Sequence, residues 1–199
     1  MTTSVRKQLI EAAEQQFRRF GYRRTTVDEV TRAADMGKGS FYLHFPSKEA
    51  AYMAVVEASL EKFLAKADTA LHGPGSVPRR LRELVTVTAK HYGGDELLRA
   101  SLFGEAALVD GAVARQAADI QRSRIRALLT ETLSQGISEG SIRSDLNVEV
   151  AAAVLFEIGW AVVRSELDDS TDIPLDVAFE TFNDIVGMGL ITRPSESTR

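Results

Sequence analysis

A chain of 199 residues has room for one or two domains with a sizeable core, and the absence of cysteine excludes disulfides, thiolate catalysis and cysteine-ligated zinc. The formal net charge of −4 is unevenly spread: residues 1–48 carry 9 Lys and Arg against 5 Asp and Glu, the remainder 15 against 23, so a basic head sits on an acidic body, as suits docking on phosphates at one end. No apolar run approaches the roughly 20 residues that span a bilayer, and Met-Thr-Thr-Ser-Val-Arg-Lys-Gln leads into an amphipathic pattern rather than a signal-peptide core, so a cytoplasmic location is expected.

The apolar spacing is helical almost throughout, and no strand pattern competes with it. Leu9, Ile10, Ala13, Phe17 and Phe20 form the inner stripe of a first helix, with Ser4 as its N-cap and Gly21 as its stop. Thr25 or Thr26 caps a second helix carrying Val27, Val30 and Ala34. Asp35-Met36 form a turn, and a third, very short helix runs from about Lys38 to His44. Phe45-Pro46-Ser47 stops it and opens a long fourth helix, with Ala50, Met53, Val56, Leu60, Phe63, Leu64, Ala67 and Leu71 inward.

His72 to Pro78 is the clearest break in the chain, and the core of the body assembles after it. Further helices are expected at about 79–91, 95–108 and 112–138, the last with Val113, Ala117, Ile120, Leu128, Leu133 and Ile137 inward. Two final helices, about 148–167 and 174–191, are apolar nearly all round. Such a helix is covered on both sides, either at the centre of a large core or by a partner chain, and in a body this small the pattern favours a partner. Gly159, Gly187 and Gly189 would let helices approach closely there.

Residues Thr26 to Lys48 thus pack two short helical patterns around a tight turn, with basic and hydroxyl side chains on the second: a helix-turn-helix, whose second helix fits the DNA major groove. The stretch Thr25-Thr-Val-Asp-Glu-Val, then Ala33-Ala34, Lys38-Gly-Ser-Phe-Tyr and His44-Phe-Pro-Ser-Lys-Glu-Ala50 closely resembles the head of the TetR (tetracycline-repressor-like) family. The resemblance covers about the first 60 residues; beyond them only the helical architecture is similar.

That resemblance implies an all-α regulator in which residues 1–46 form the DNA-binding domain and 47–199 an effector-binding and dimerisation domain. It implies a homodimer, joined through the helices at about 148–167 and 174–191, that represses from a palindromic operator and is released by a small molecule. By position, Thr26 becomes a phosphate contact through its hydroxyl and the helix N-terminus, and Lys38, Ser40 and Leu43 the groove-facing side of the third helix. Lys38 suits either a guanine edge or a phosphate. Gly37 and Gly39 let backbone approach the DNA, Tyr42 and His44 become phosphate contacts, and Lys48 a phosphate anchor. A plainer alternative stands beside each: Tyr42 as a partly exposed core aromatic, His44 as a solvated surface residue. Phe41 and Phe45 are expected in the core. The chain departs from the family pattern at Asp35, where a turn glycine is usual, and at Gly37, where a hydroxyl residue commonly caps the reading helix.

Enzymatic motifs fail on inspection. Gly37-Lys38-Gly39-Ser40 lacks the spacing and preceding strand of a phosphate-binding loop. Gly93-Gly-Asp-Glu-Leu97 separates two helical patterns, with Asp95 as an N-cap. The histidines at 44, 72 and 91 have no metal-ligand spacing, and no nucleophile elbow is present, so no enzyme, metal or cofactor is expected. The rival from another class is a helical module that pairs only with protein, which the basic head argues against. Effector candidates in the body are Phe63, Tyr92, Phe103, Glu105, Glu157 and Trp160, since aromatic walls around a buried carboxylate suit an apolar cation. A stripe of aromatics at helical spacing is also what plain core looks like, and Glu157 is equally suited to pairing with an arginine across a dimer.

Overall fold

The computed structural model describes residues 2–93, 97–98 and 111–167, together with 177, 180, 181, 184, 185, 189 and 190. The helices run in the order α1 Thr2–Phe20, α2 Val27–Ala33, α3 Lys38–His44, α4 Lys48–Leu71, α5 Val77–Gly93, α6 Gly111–Ser138 and α7 Val148–Leu167. The architecture is all-α. Two compact units divide the chain: Met1–Lys62 with Tyr92–Gln121, and Phe63–His91 with Arg122–Arg199.

The first unit contains the head. Leu9, Ala13 and Phe17 of α1 are buried as their spacing predicts, and they meet Val30 of α2, Phe41 of α3 and Tyr52, Val55 and Val56 of α4 in one core. Phe17, Tyr22 and Tyr52 pack edge-on or tilted, with centroids 5.0–5.7 Å apart. Gly21, at φ +79°, takes the left-handed conformation that ends α1. The turn sends Tyr22 inward, so Phe20, expected in the core, is instead 43% exposed under the Arg19 guanidinium. Ser4 does not cap α1, because the helix already begins at Thr2.

Thr26 is the N-cap of α2. Its hydroxyl accepts from the Glu29 N–H at 3.3 Å, and its own N–H donates to Glu29 Oε2 at 2.7 Å, a complete capping box. The turn to α3 passes through Asp35 at φ 53°, which an Asp tolerates better than most residues. Gly37 caps α3 with no side-chain bond. Ser47 caps α4, accepting from the Ala50 N–H at 3.3 Å. Later in the same unit Tyr92 is fully buried, and its hydroxyl donates to Oε1 of the buried Gln121 at 3.1 Å. Burial pushes the Tyr92 phenol far above its ordinary range.

In the second unit Phe63, Ala67 and Leu71 of α4 are buried, as are Leu81 and Val85 of α5. α5 starts at Val77, earlier than the sequence suggests, because a proline in the first helical turn forfeits no internal hydrogen bond. Ile125, Leu129 and Leu133 of α6 face inward with Ala152, Leu155 and Phe156 of α7. Of the expected inner residues of α6, Val113, Ala117 and Leu133 are buried, whereas Ile120, Leu128 and Ile137 are only half-buried and Gln121, Ile125 and Leu129 take inner places. Gly136 has no side chain where the Ile142 side chain passes, 2.6 Å from where a Cβ would stand. The turn after α6 therefore folds back, and the Arg143 N–H donates to the Leu190 carbonyl at 3.1 Å.

Of the helix expected at 95–108, only Leu97 and Leu98 are described; both are helical and buried. Phe103, Glu105 and the Asp95 cap lie outside the described residues, as does most of the expected helix at 174–191.

Candidate nucleic-acid interface and ligand cavity

α3 presents one face to the core and the other outward. Phe41 is fully buried and Phe45 nearly so, with ring centroids 5.6 Å apart. This anchors a helix of one seven-residue stretch, too short to be stable alone. On the outer side Tyr42 is 55% and Leu43 83% exposed, and Gly37, Lys38 and Gly39 are exposed beside them. A Cβ at Gly37 or Gly39 would meet nothing within 4 Å. Ser40 and His44 are half-buried. Tyr42 packs edge-on against Phe41 at 5.4 Å, which orients an exposed phenol by a buried ring. Arg23 and Arg24, exposed in the turn before Thr26, add positive charge that the sequence reading left unassigned.

Three of the expected contact residues already have protein partners. Lys38 Nζ pairs with Asp28 Oδ1 at 2.8 Å, and both side chains are more than half exposed. Lys48 Nζ donates to the carbonyls of Tyr22 at 2.9 Å and Thr25 at 3.1 Å and lies 4.4 Å from the Tyr22 ring centroid. Lys48 thereby pins the turn between α1 and α2 to the start of α4. The Tyr22 hydroxyl closes the same arrangement by donating to Glu49 Oε1 at 2.9 Å. Bonds from its own backbone N–H, from Ser47 and from Tyr22 hold the Glu49 carboxyl below its ordinary range. The Thr26 hydroxyl is likewise engaged by Glu29, whose carboxyl is lowered by the backbone and side-chain bonds of Thr26. The Lys38–Asp28 and Lys48–Tyr22/Thr25 pairings have no periodic sequence signal, since each crosses a turn.

In the second unit an apolar slot of about 50 Å³ is lined by Phe63, Leu84, Thr88, Phe156, Gly159 and Trp160, among others. It brings together Phe63 and Trp160 of the ligand candidates. Tyr92 is buried in the first unit with its hydroxyl bonded to Gln121 and does not line the slot. Glu157 faces outward and does not line it either, because successive residues of α7 turn by about 100° and it is Phe156 that faces in. No described carboxylate lines this slot. Among the described residues there is no cluster of His, Cys, Asp and Glu that would hold a metal ion, and no helix long and apolar enough to cross a membrane.

Residues 9–55 match the family model described as bacterial regulatory proteins, tetR family. The chain is 28% identical to the HTH-type transcriptional repressor DhaR of Mycobacterium sp. (strain GP1) over 177 residues, which cover 87% of this chain and 88% of that protein. It is 29% identical to the HTH-type transcriptional repressor KstR2 of Rhodococcus jostii (strain RHA1) over 166 residues, 80% of this chain and 78% of that one. In structure it is similar to FadR from Bacillus subtilis, solved in complex with stearoyl-CoA: the TM-score is 0.68 at 18% identity, over 90% of this chain and 96% of that chain. At that identity the likeness is one of fold.

Proposed function

The chain belongs to the TetR family and is a DNA-binding transcriptional regulator rather than an enzyme; from that premise we propose that it acts as a cytoplasmic, homodimeric repressor on a palindromic operator and is released by a small molecule. The observation that carries the reading is the outer face of α3, where Lys38, Tyr42 and Leu43 stand exposed on a helix held from behind by Phe41 and Phe45. Two such helices, one per protomer, would enter successive major grooves about 34–36 Å apart. Residues 1–46 read DNA in this scheme, and 47–199 sense and dimerise. Gly37, Gly39, Ser40 and His44 complete the contact set, with Thr26 and Lys48 at its edge.

Dimerisation through α7 and the segment at about 174–191 is supported by apolar side chains left exposed in the single chain: Val150, Val154 and Ile158 on α7, then Val177 and Ile185. The helix α4 begins in the first unit and ends in the second. Ligand in the second unit would tilt it, change the separation of the reading helices and weaken operator binding. By linkage, operator DNA weakens ligand binding by the same factor.

The test is selection of genomic fragments by the purified protein at physiological salt. Recovery of a palindrome, with affinity reduced at least tenfold in Tyr42→Ala, is the expected result. No enriched sequence from ligand-free protein would move the protein-only module ahead of this reading.

A further inference from the structure

We propose that the second unit takes a slender apolar chain ending in an anion, with the chain in the slot beside Trp160 and the anion at Arg80. The proposal rests on the effector reading above and names the chemical class of the effector.

Three cavities of this unit share walls. The slot of about 50 Å³ is apolar apart from Thr88, and Leu81, Leu129 and Leu155 line both it and a neighbouring cavity of about 30 Å³. Arg80, the residue before Leu81 on α5, lines that second cavity and also an open groove of about 600 Å³. Arg80 thus stands between the inner cavity, which adjoins the apolar slot, and a basic surface where Lys66 and Arg79 join it and Glu83 is the acidic member.

Arg80 is the unusual member of this group. Its Nε is buried with no hydrogen-bond partner, and among the described residues it has no ion pair. A guanidinium N–H without an acceptor is a donor waiting for one, and a carboxylate or phosphate oxygen is the acceptor it binds best. The carboxylate nearest to hand in the second cavity, Glu139, already accepts from Gln135 at 2.8 Å.

The width of the slot selects the apolar part. About 50 Å³ leaves room for a few consecutive methylene groups and not for a fused-ring body. Gly159 leaves open space where a side chain would stand, on the wall formed by α7. With no carboxylate on the described lining, an apolar cation finds no counter-charge there. The anion itself has two possible sources, a free carboxylate or the phosphates of an activated thioester, and the recognition chemistry is the same.

Trp160 is the one tryptophan of the chain, so its emission reports on the slot without a label. The full-length protein is titrated with laurate, lauroyl-CoA, dodecanol and dodecyltrimethylammonium, each below its micelle concentration, while operator binding is read by anisotropy in the same samples. Laurate or lauroyl-CoA should shift Trp160 emission saturably, and which of them binds tighter identifies the source of the anion. Arg80→Ala should weaken the anionic probe at least tenfold, with Arg80→Lys intermediate and dodecanol unaffected. Gly159→Leu, a change that favours the helix, should block the chain while leaving Arg80 in place. Equal binding of dodecanol or of the cation, indifference to Arg80→Ala, or no change in Trp160 emission with any probe would overturn the proposal. Saturable anion binding that leaves operator affinity unchanged would keep the ligand class and remove the release mechanism. Release by a compound that does not disturb Trp160 would do the reverse.

Discussion

At the residue scale, side chains proposed to contact DNA are also engaged in holding the head together. Lys38 is tied to Asp28 by a solvent-exposed ion pair, so a DNA contact by Lys38 has to displace that carboxylate. Such pairs contribute about 0.2–1 kcal/mol. Asp28→Asn should therefore raise operator affinity roughly two- to fivefold at fixed salt, the range that a pair of this strength permits. Anisotropy titrations at several salt concentrations would measure it, and unchanged affinity would show that Lys38 does not reach the DNA. Lys48, expected as a phosphate anchor, has a structural role as well that the sequence did not carry. Its spacing from Tyr42 is visible in the sequence, but its bonds to the Tyr22 and Thr25 carbonyls exist only because α1, α2 and α4 converge there.

At the scale of the element, helix starts and stops follow local chemistry and were largely readable. Thr26, one of the two expected caps of α2, Gly21 after the last apolar residue of α1, and Ser47 after Pro46 each act where the sequence places them. The faces of helices were harder. On α6 Val113, Ala117 and Leu133 face inward as expected, but Ile120, Leu128 and Ile137 are only half-buried, because small and apolar residues on both sides of the helix leave the pattern ambiguous. On α7 the apolar residues divide into an inner set at Ala152, Leu155 and Phe156 and an outer set at Val150, Val154 and Ile158. If the outer set is a dimer interface, Val154→Glu with Ile158→Glu should weaken self-association about a hundredfold, two desolvated charges being enough to offset the ~2.7 kcal/mol this represents. Sedimentation equilibrium would show monomer where the parent is dimer, and operator affinity should fall with it. A double variant that sediments like the parent would place the interface elsewhere.

At the scale of the whole molecule, the acid side of stability has an identifiable contributor. Glu49 titrates below its ordinary range in the folded state, so its stabilisation is complete above the unfolded carboxylate pKa of about 4.3 and is lost as pH falls through the lower, folded value. Thermal midpoints measured from pH 6 to pH 3 should separate the parent from Glu49→Gln at the upper end and bring the two together at the lower. A gap that is constant over this range would exclude the carboxylate as its origin. Buried Gln121 shows the same scale from inside: a polar residue in the middle of α6 is tolerated because the Tyr92 hydroxyl, brought from α5, donates to it.

The sequence by itself determined the all-α class, the stop of α1, the starts of α2, α3 and α4 and the outward placing of Lys38 and Leu43, because capping, turn geometry and a 3.6-residue period act within a few neighbours. Only the tertiary structure decided which apolar residues share a wall. It put Phe63 and Trp160 on one slot, kept Tyr92 in a different unit, turned Glu157 outward and left Arg80 Nε buried without an acceptor. Those outcomes depend on how helices distant in sequence are rotated against one another, and a rotation of one residue, about 100°, moves a side chain from a cavity wall to the surface.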